Sequence, residues 1–228
     1  MHRFFIEREI PDSGEVRVAD KDLIHQWQKV FRLKAGDRVI IFDGSEFDYV
    51  SEFVSLDRNN SVLKIVEKKL NQNIPKKEIH LFQPIIKKDK FEWVLEKGTE
   101  LGVSYFHPII SERSEKKNIN FERAHKIIKE ASEQSGRVNL PKISELTELK
   151  NTLNNNFISI VFHPTGDKFN KKDFEKEKIL GIFIGPEGGW SERELWLFKE
   201  KQVKILSLGQ QILRAETATV AVSSLMLL

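Results

Sequence analysis

Residues 179–194, ILGIFIGPEGGWSERE, decide how the second half of this chain folds. An apolar run of strand character ends at Gly185-Pro186-Glu187-Gly188-Gly189, and a helix start follows at once. Ser191 and Glu194 have the spacing of a capping box, in which the hydroxyl and the carboxylate each accept from a free backbone N–H. Trp190 and Leu195 can close the accompanying hydrophobic staple. A buried strand that feeds a capped helix is the repeating unit of a parallel sheet covered by helices. In such sheets ligands collect beyond the carboxyl ends of the strands, where glycine allows unusual backbone angles and close approach. The same glycines also suit a plain strand-to-helix turn, so spacing alone leaves both readings open.

The pattern repeats on either side. Val203–Leu208 reads as a strand that ends at Gly209; Ile212 and Leu213 follow, and Arg214-Ala-Glu216-Thr217-Ala218 opens a last helix from about Ala215, with Ala218, Val222 and Leu225 on its buried side. A cation at a helix N-terminus is unfavourable unless it meets an anion, so Arg214 pairs either with Glu216 or with a substrate phosphate or carbonyl. Upstream, Ile79–Ile86 and Phe157–Phe162 are further strands. One helix carries Phe91, Val94, Leu95 and Leu101 and stops at Gly102; another starts near Asn120 and carries Ala124, Ile127, Ile128 and Ala131. Arg113 and Arg137 fall on loops, where substrate contacts concentrate.

Before residue 70 the pattern differs. Arg38–Phe42, Phe47–Val54 and Ser61–Val66 are short strands between Asp, Gly and Asn turns, as in a small β-barrel-like domain. One helix interrupts them, capped by Asp20, with Leu23, Trp27, Val30 and Phe31 at helical spacing. The polar, proline-containing stretch Leu70–Lys77 reads as a linker. The expected division is therefore residues 1–71 and 72–228.

The 228 residues are 39% hydrophobic and 31% charged, which belongs to a packed globular chain rather than a disordered one. There is no cysteine, which excludes disulfides, thiolate nucleophiles and Cys-based zinc sites. No apolar run is long enough to span a bilayer, and MHRFFIEREI lacks the uninterrupted apolar core of a secretory signal, so a cytoplasmic location without a membrane is the expectation. P-loop, dinucleotide-fingerprint, H-E-x-x-H and G-x-S-x-G patterns are all missing, which argues against ATPase, simple dehydrogenase, zinc hydrolase and serine hydrolase chemistry; no metal is expected. With 37 basic against 34 acidic residues, any nucleic-acid partner would have to be engaged by a local patch rather than by overall charge.

Taken in order, several stretches resemble one family. His25–Asp37 (HQWQKVFRLKAGD), Lys97–Val103 (KGTELGV), Ser111–Ser114 (SERS), Glu130–Arg137 (EASEQSGR), Ile184–Gly189 (IGPEGG) and Leu208–Ala218 (LGQQILRAETA) are together similar to the RsmE family of SPOUT RNA methyltransferases. Each string alone is weak; in this order they are highly specific. Phe31, Trp190 and Gln211 depart from the residues most common in that family. The resemblance implies an α/β fold, with a C-terminal SPOUT trefoil-knot domain of mostly parallel sheet and a small N-terminal PUA-like β-barrel domain. It implies a homodimer, with which the apolar C-terminus VSSLMLL agrees. It also implies S-adenosylmethionine as cofactor, held by Phe162, His163 and Pro164, by Ile184, Gly185, Pro186, Glu187 and Gly188, and by Leu208, Gly209, Ile212, Leu213 and Ala218.

The activity so implied is methylation of N3 of a uridine in 16S ribosomal RNA of the small subunit. That nitrogen must lose its proton before it can attack, and the resulting charge spreads onto two carbonyl oxygens, so an arginine aimed at them would favour the anion and the transition state together. Arg214 is the first candidate, Arg113 and Arg137 the next, and Glu216 the candidate base. Arg3, Arg32, Lys87, Lys88, Arg113 and Arg137 are the expected RNA contacts. Two alternatives are a noncatalytic RNA-binding or ribosome-assembly factor, and a SPOUT methyltransferase that acts at another RNA position.

Overall fold

In the computed structural model, which describes residues 1–114 and 118–228, the chain sorts into two units. One comprises Met1–Ile74 with Ser132–Asn139, the other Pro75–Ala131 with Leu140–Leu228. Among the described residues no helix is long and apolar enough to cross a membrane.

The first unit holds β1 (Arg3–Phe5), β2 (Glu15–Val18), α1 (Lys21–His25), β3 (Arg38–Phe42), β4 (Phe47–Leu56) and β5 (Ser61–Leu70). The strands form one sheet in the order β1-β3-β4-β5-β2. The first pair is parallel and the others antiparallel. Asp20 caps α1 as its position predicts, its carboxylate accepting from the backbone N–H groups of Asp22 and Leu23. The helix then widens into a π turn over Gln26–Val30, with Phe31 N–H donating to Gln26 O across five residues. That extra residue per turn rotates Val30 off the buried face and leaves it 65% exposed, against the helical spacing expected for it, while Trp27 stays fully buried.

The second unit is a sheet of β6 (Glu78–Pro84), β7 (Tyr105–Ile110), β8 (Lys142–Ile143), β10 (Ile158–Lys168), β11 (Ile179–Ile184) and β12 (Lys204–Ser207), in the order β12-β10-β11-β6-β7-β8, with β9 (Thr147–Glu148) also on β7. Every pairing in it is parallel. Its helices are α2 (Lys88–Leu101), α4 (Glu192–Glu200) and α5 (Ala215–Leu227), together with α3 (Phe121–Ser135) up to Ala131. The two faces bury different apolar sets. Ile79, Leu81, Phe91, Val94, Ile160 and Val222 belong to one, and Phe82, Val161, Phe183, Trp190 and Phe198 to the other. The glycine stop after α2 is as expected, with Gly102 at φ +107. One expectation fails on α5. Its buried side carries Ala215, Thr219, Val222, Ser223 and Met226, whereas Leu225 is 44% exposed, because it lies three residues from Val222 at the edge of that face.

The stretch Leu70–Lys77, read as a linker, is anchored at its far end. Lys77 Nζ donates to Phe174 O at 2.8 Å, Glu175 O at 2.9 Å and Glu177 O at 2.6 Å, which satisfies carbonyls at the end of a short 3-10 turn.

Candidate active site

Three strands end side by side, and the chain leaves each in a different way. Strand β10 pairs with β12 up to Phe162 and again from Asp167, both opposite Leu206, so His163–Gly166 bulge out of the sheet. Gly166 closes the bulge against β12, where a Cβ would lie 2.6 Å from the backbone N and C of Leu206. His163 Nδ1 accepts from the backbone N–H of Thr165 at 3.3 Å and lies 2.8 Å from the Thr165 hydroxyl. Burial, and then the charge of Arg113, lower the pKa of this imidazole, which favours the neutral ring.

Strand β11 runs into Gly185–Trp190, where Gly189 N–H donates to Pro186 O at 2.8 Å. The capping box is formed: Glu194 N–H donates to Ser191 Oγ at 3.1 Å, and Ser191 N–H to Glu194 Oε2 at 2.8 Å. The other oxygen of Glu194 accepts from Glu112 N–H at 2.9 Å, which ties the residues after β7 to the start of α4. Arg113 is thereby placed over the loop and donates to Gly188 O at 2.8 Å and Trp190 O at 3.4 Å.

Strand β12 ends at Ser207, whose hydroxyl donates to Gly209 O at 3.1 Å around a glycine with φ +134, an angle that L side chains rarely adopt. Arg214 then takes the N-cap position of α5 in extended conformation, with its carbonyl accepting from Ala218 N–H at 2.8 Å.

These three exits enclose a cavity of about 490 Å³. Every residue assigned above to the cofactor by resemblance lines it, as do Arg113 and Arg214. So do Lys90, Gly189, Trp190, Ser207, Gln211 and Ala215; of these Gly189, Gln211 and Ala215 lie within the matched motifs, and Lys90, Trp190 and Ser207 lie outside them. Trp190 and Ser207 could have been found, since each directly adjoins a matched motif. Lys90 could not, because its partner is Glu216 on α5, far along the chain.

Gly185 separates the two readings of its loop. It has an ordinary φ, and a Cβ built on it would come no nearer than 3.4 Å to Trp190 Nε1. Neither backbone angle nor a clash within the chain requires glycine there: a Cβ would rest in van der Waals contact with Trp190 and Gly189, so the glycine leaves room for a side chain unfilled in the cavity wall. Ile212 points the same way, for it is 84% exposed beside the cavity, an aliphatic surface that a ligand would take out of water.

Glu216, Arg137 and Arg3 are placed otherwise than expected. Glu216 does not line the cavity and is ion-paired with Lys90 on α2. Burial alone would raise its pKa, but the hydrogen bond from Lys90 and its own backbone N–H outweigh that, and the net effect is a lowered value. Such a carboxylate is a weak proton acceptor. Arg137 belongs to the first unit and is 4% exposed, with Nε donating to Asn139 O at 2.9 Å; burial lowers its pKa to about 10. Arg3 is paired with Asp48 at 2.6 Å and donates to Ser132 O and Arg137 O, both at 3.3 Å. Neither arginine presents the surface cation that a phosphate contact needs. Arg32, Lys87, Lys88 and Arg113 are exposed.

Comparison with known proteins agrees from end to end. Residues 72–227 match the RNA methyltransferase domain, and residues 28–66 the RNA methyltransferase PUA domain. The chain is 29% identical to ribosomal RNA small subunit methyltransferase E of Rickettsia conorii, over 96% of this chain and 92% of that protein. It is 34% identical to ribosomal RNA small subunit methyltransferase E 2 of Borreliella burgdorferi, over 89% and 87%. Among solved structures, that of ribosomal RNA small subunit methyltransferase E from Neisseria gonorrhoeae, bound to S-adenosyl methionine, superimposes with a TM-score of 0.89 at 25% identity and covers 99% of this chain and 96% of that one. With both of its units accounted for, the chain belongs to the RNA methyltransferase family whose members are the small-subunit ribosomal RNA methyltransferases E.

Proposed function

We propose that this protein transfers the methyl group of S-adenosylmethionine to N3 of a uridine in 16S ribosomal RNA. The observation that carries the reading is the cavity at the strand carboxyl ends, with Gly185 left open in its wall although neither fold nor turn demands a glycine. Its volume of about 490 Å³ suits a ligand of that size. When bound, the cofactor supplies an electrophilic methyl group on a sulfonium.

The chain's own residues do the rest. Backbone at Gly185, Gly188 and Gly209, with the side chains of Leu208, Ile212 and Leu213, holds the adenosyl part and fixes the direction of the methyl group, which removes much of the entropic barrier to transfer. Arg214, at the start of α5 on the cavity wall, donates to the uracil carbonyl oxygens and so favours loss of the N3 proton to water and stabilises the charge as it develops. Arg113 is occupied with Gly188 O and Trp190 O, and its part is to hold the loop. A base-paired uridine hides N3, so the substrate is single-stranded or flipped out.

The same reading takes in the surroundings. Arg32 in the first unit and Lys87 and Lys88 in the second are phosphate contacts, with affinity that falls steeply as salt rises. The exposed Leu225 on the last helix and Leu228 just beyond it, 44% and 80% exposed, fit a homodimer that covers them. The division into an RNA-binding N-terminal part and a methyltransferase part, and a cytoplasmic location, go with this function. Titration calorimetry with S-adenosylmethionine, followed by transfer of a labelled methyl group to small-subunit RNA, tests it. A noncatalytic assembly factor would give neither heat nor label.

A further inference from the structure

Lys90 is the third residue of α2, where a cation opposes the helix dipole and is unfavourable by itself. Its ammonium meets the carboxylate of Glu216 in the first turn of α5, and both side chains are largely buried, 22% and 14% exposed. The other oxygen of Glu216 is buried and has no hydrogen-bond partner among the described residues, and Lys90 is the first of the groups that hold the carboxylate ionised, ahead of its own backbone N–H and the charge of Arg214. One residue before α2, the backbone N–H of Lys87 donates to Glu187 Oε1 at 3.3 Å. The start of α2 thus holds two of the three cavity exits, one through Glu187 and the other through Glu216, two residues beyond Arg214.

We propose that Lys90 is a positioning residue for methyl transfer: by holding Glu216 across the α2–α5 contact it fixes the first turn of α5 and the place of Arg214 on the cavity wall. Glu216 is then a strut rather than a proton acceptor. The inference rests on the reading of the cavity given above and adds to it the role of a residue pair that no sequence motif joins. A buried pair suits this use, because loss of one partner strands the other's charge and lets the turn shift. A displacement on the order of 1 Å at the reacting groups is enough to slow a reaction about 100-fold.

The test uses the full chain with small-subunit RNA under single-turnover conditions, with melting and calorimetry with S-adenosylmethionine on each variant. Lys90→Met should lower the rate by about 10- to 100-fold while affinity for S-adenosylmethionine changes little, and Lys90→Arg should recover most of the rate. Glu216→Gln should slow transfer to a similar extent without changing the shape of the pH profile. The double variant should be no slower than the slower single one, as for residues that act through one contact. If Lys90→Met does not fold, the Lys90→Arg and Glu216→Gln results decide the matter. The proposal is overturned if Lys90→Met keeps its rate, or if cofactor affinity falls in step with the rate, which would make Lys90 a cofactor ligand. It is also overturned if Glu216→Gln alone abolishes transfer and removes the acidic limb of the profile, as expected of a general base. Failure of the unaltered protein to bind S-adenosylmethionine would instead overturn the reading of the cavity.

Discussion

Replacement of Gly185 by valine isolates what its missing side chain is for. The backbone there is ordinary, and a new Cβ would sit 3.4 Å from Trp190 Nε1 and 3.5 Å from Gly189 Cα, which are van der Waals contacts, so the variant should fold. The added carbons therefore enter the cavity. Cβ and two Cγ atoms displace three carbon-sized contacts between wall and ligand, each worth about 0.8 kcal/mol when buried. The loss is then about 2.4 kcal/mol, or roughly 50-fold in Kd. Calorimetry on Gly185→Val with S-adenosylmethionine, beside a melting curve on the same sample, reads both quantities. A folded variant with unchanged affinity would show that the cofactor does not lie against Gly185.

Other changes have equally definite outcomes. Gly166→Ala should do the opposite of Gly185→Val: its Cβ would press on the Leu206 backbone at 2.6 Å and cost about 3 kcal/mol in melting or denaturant experiments, and unchanged stability would contradict the tight bulge. Lys77→Met leaves three carbonyls without their ammonium and should destabilise by roughly 1.5–3 kcal/mol, measured by urea unfolding. His107 has its pKa lowered to about 4, by burial first and the neighbouring His80 charge second. Below about pH 6.5 the unfolded chain binds a proton that the folded ring refuses, so stability is retained above that pH and lost as pH falls toward 4. The loss is about 2 kcal/mol once solvent screening of the half-buried ring is allowed for, and His107→Asn should remove this part of the pH dependence. Arg214→Ala should bind S-adenosylmethionine nearly normally yet methylate about 100- to 1,000-fold more slowly, with part of the rate restored at higher pH; loss of RNA affinity alone would make it a phosphate contact.

What could be read from the sequence was what short-range patterns encode. The capping box at Ser191 and Glu194, the Asp20 cap and the Gly102 stop are local hydrogen-bond devices, and all three are formed. The long apolar strands of the second unit were legible for the same reason, and the glycines at their ends led to the cavity. Features set by distant partners were hidden. Lys90 lies in a charged run, Lys87-Lys88-Asp89-Lys90, and nothing near it points to Glu216. Arg137 sits on a glycine-bounded loop that looks exposed, yet its guanidinium is buried. The short strands Arg3–Phe5 and Glu15–Val18 carry too few residues for alternation to stand out, and the π turn after His25 cannot be seen in a 3.6-residue period. Nothing in the residues around Gly166 marks it, because what requires a glycine there is the backbone of Leu206, 40 residues further along the chain.

The most direct test of the central claim is the identity of the methylated nucleoside. Purified protein, S-adenosylmethionine and small ribosomal subunits that lack the modification should be incubated together, and the 16S RNA digested and analysed by mass spectrometry. The account predicts one new N3-methyluridine per RNA, absent without the protein and strongly reduced with Arg214→Ala. Methylation at another atom or base, or no methylated nucleoside at all with a folded protein that binds the cofactor, would contradict it.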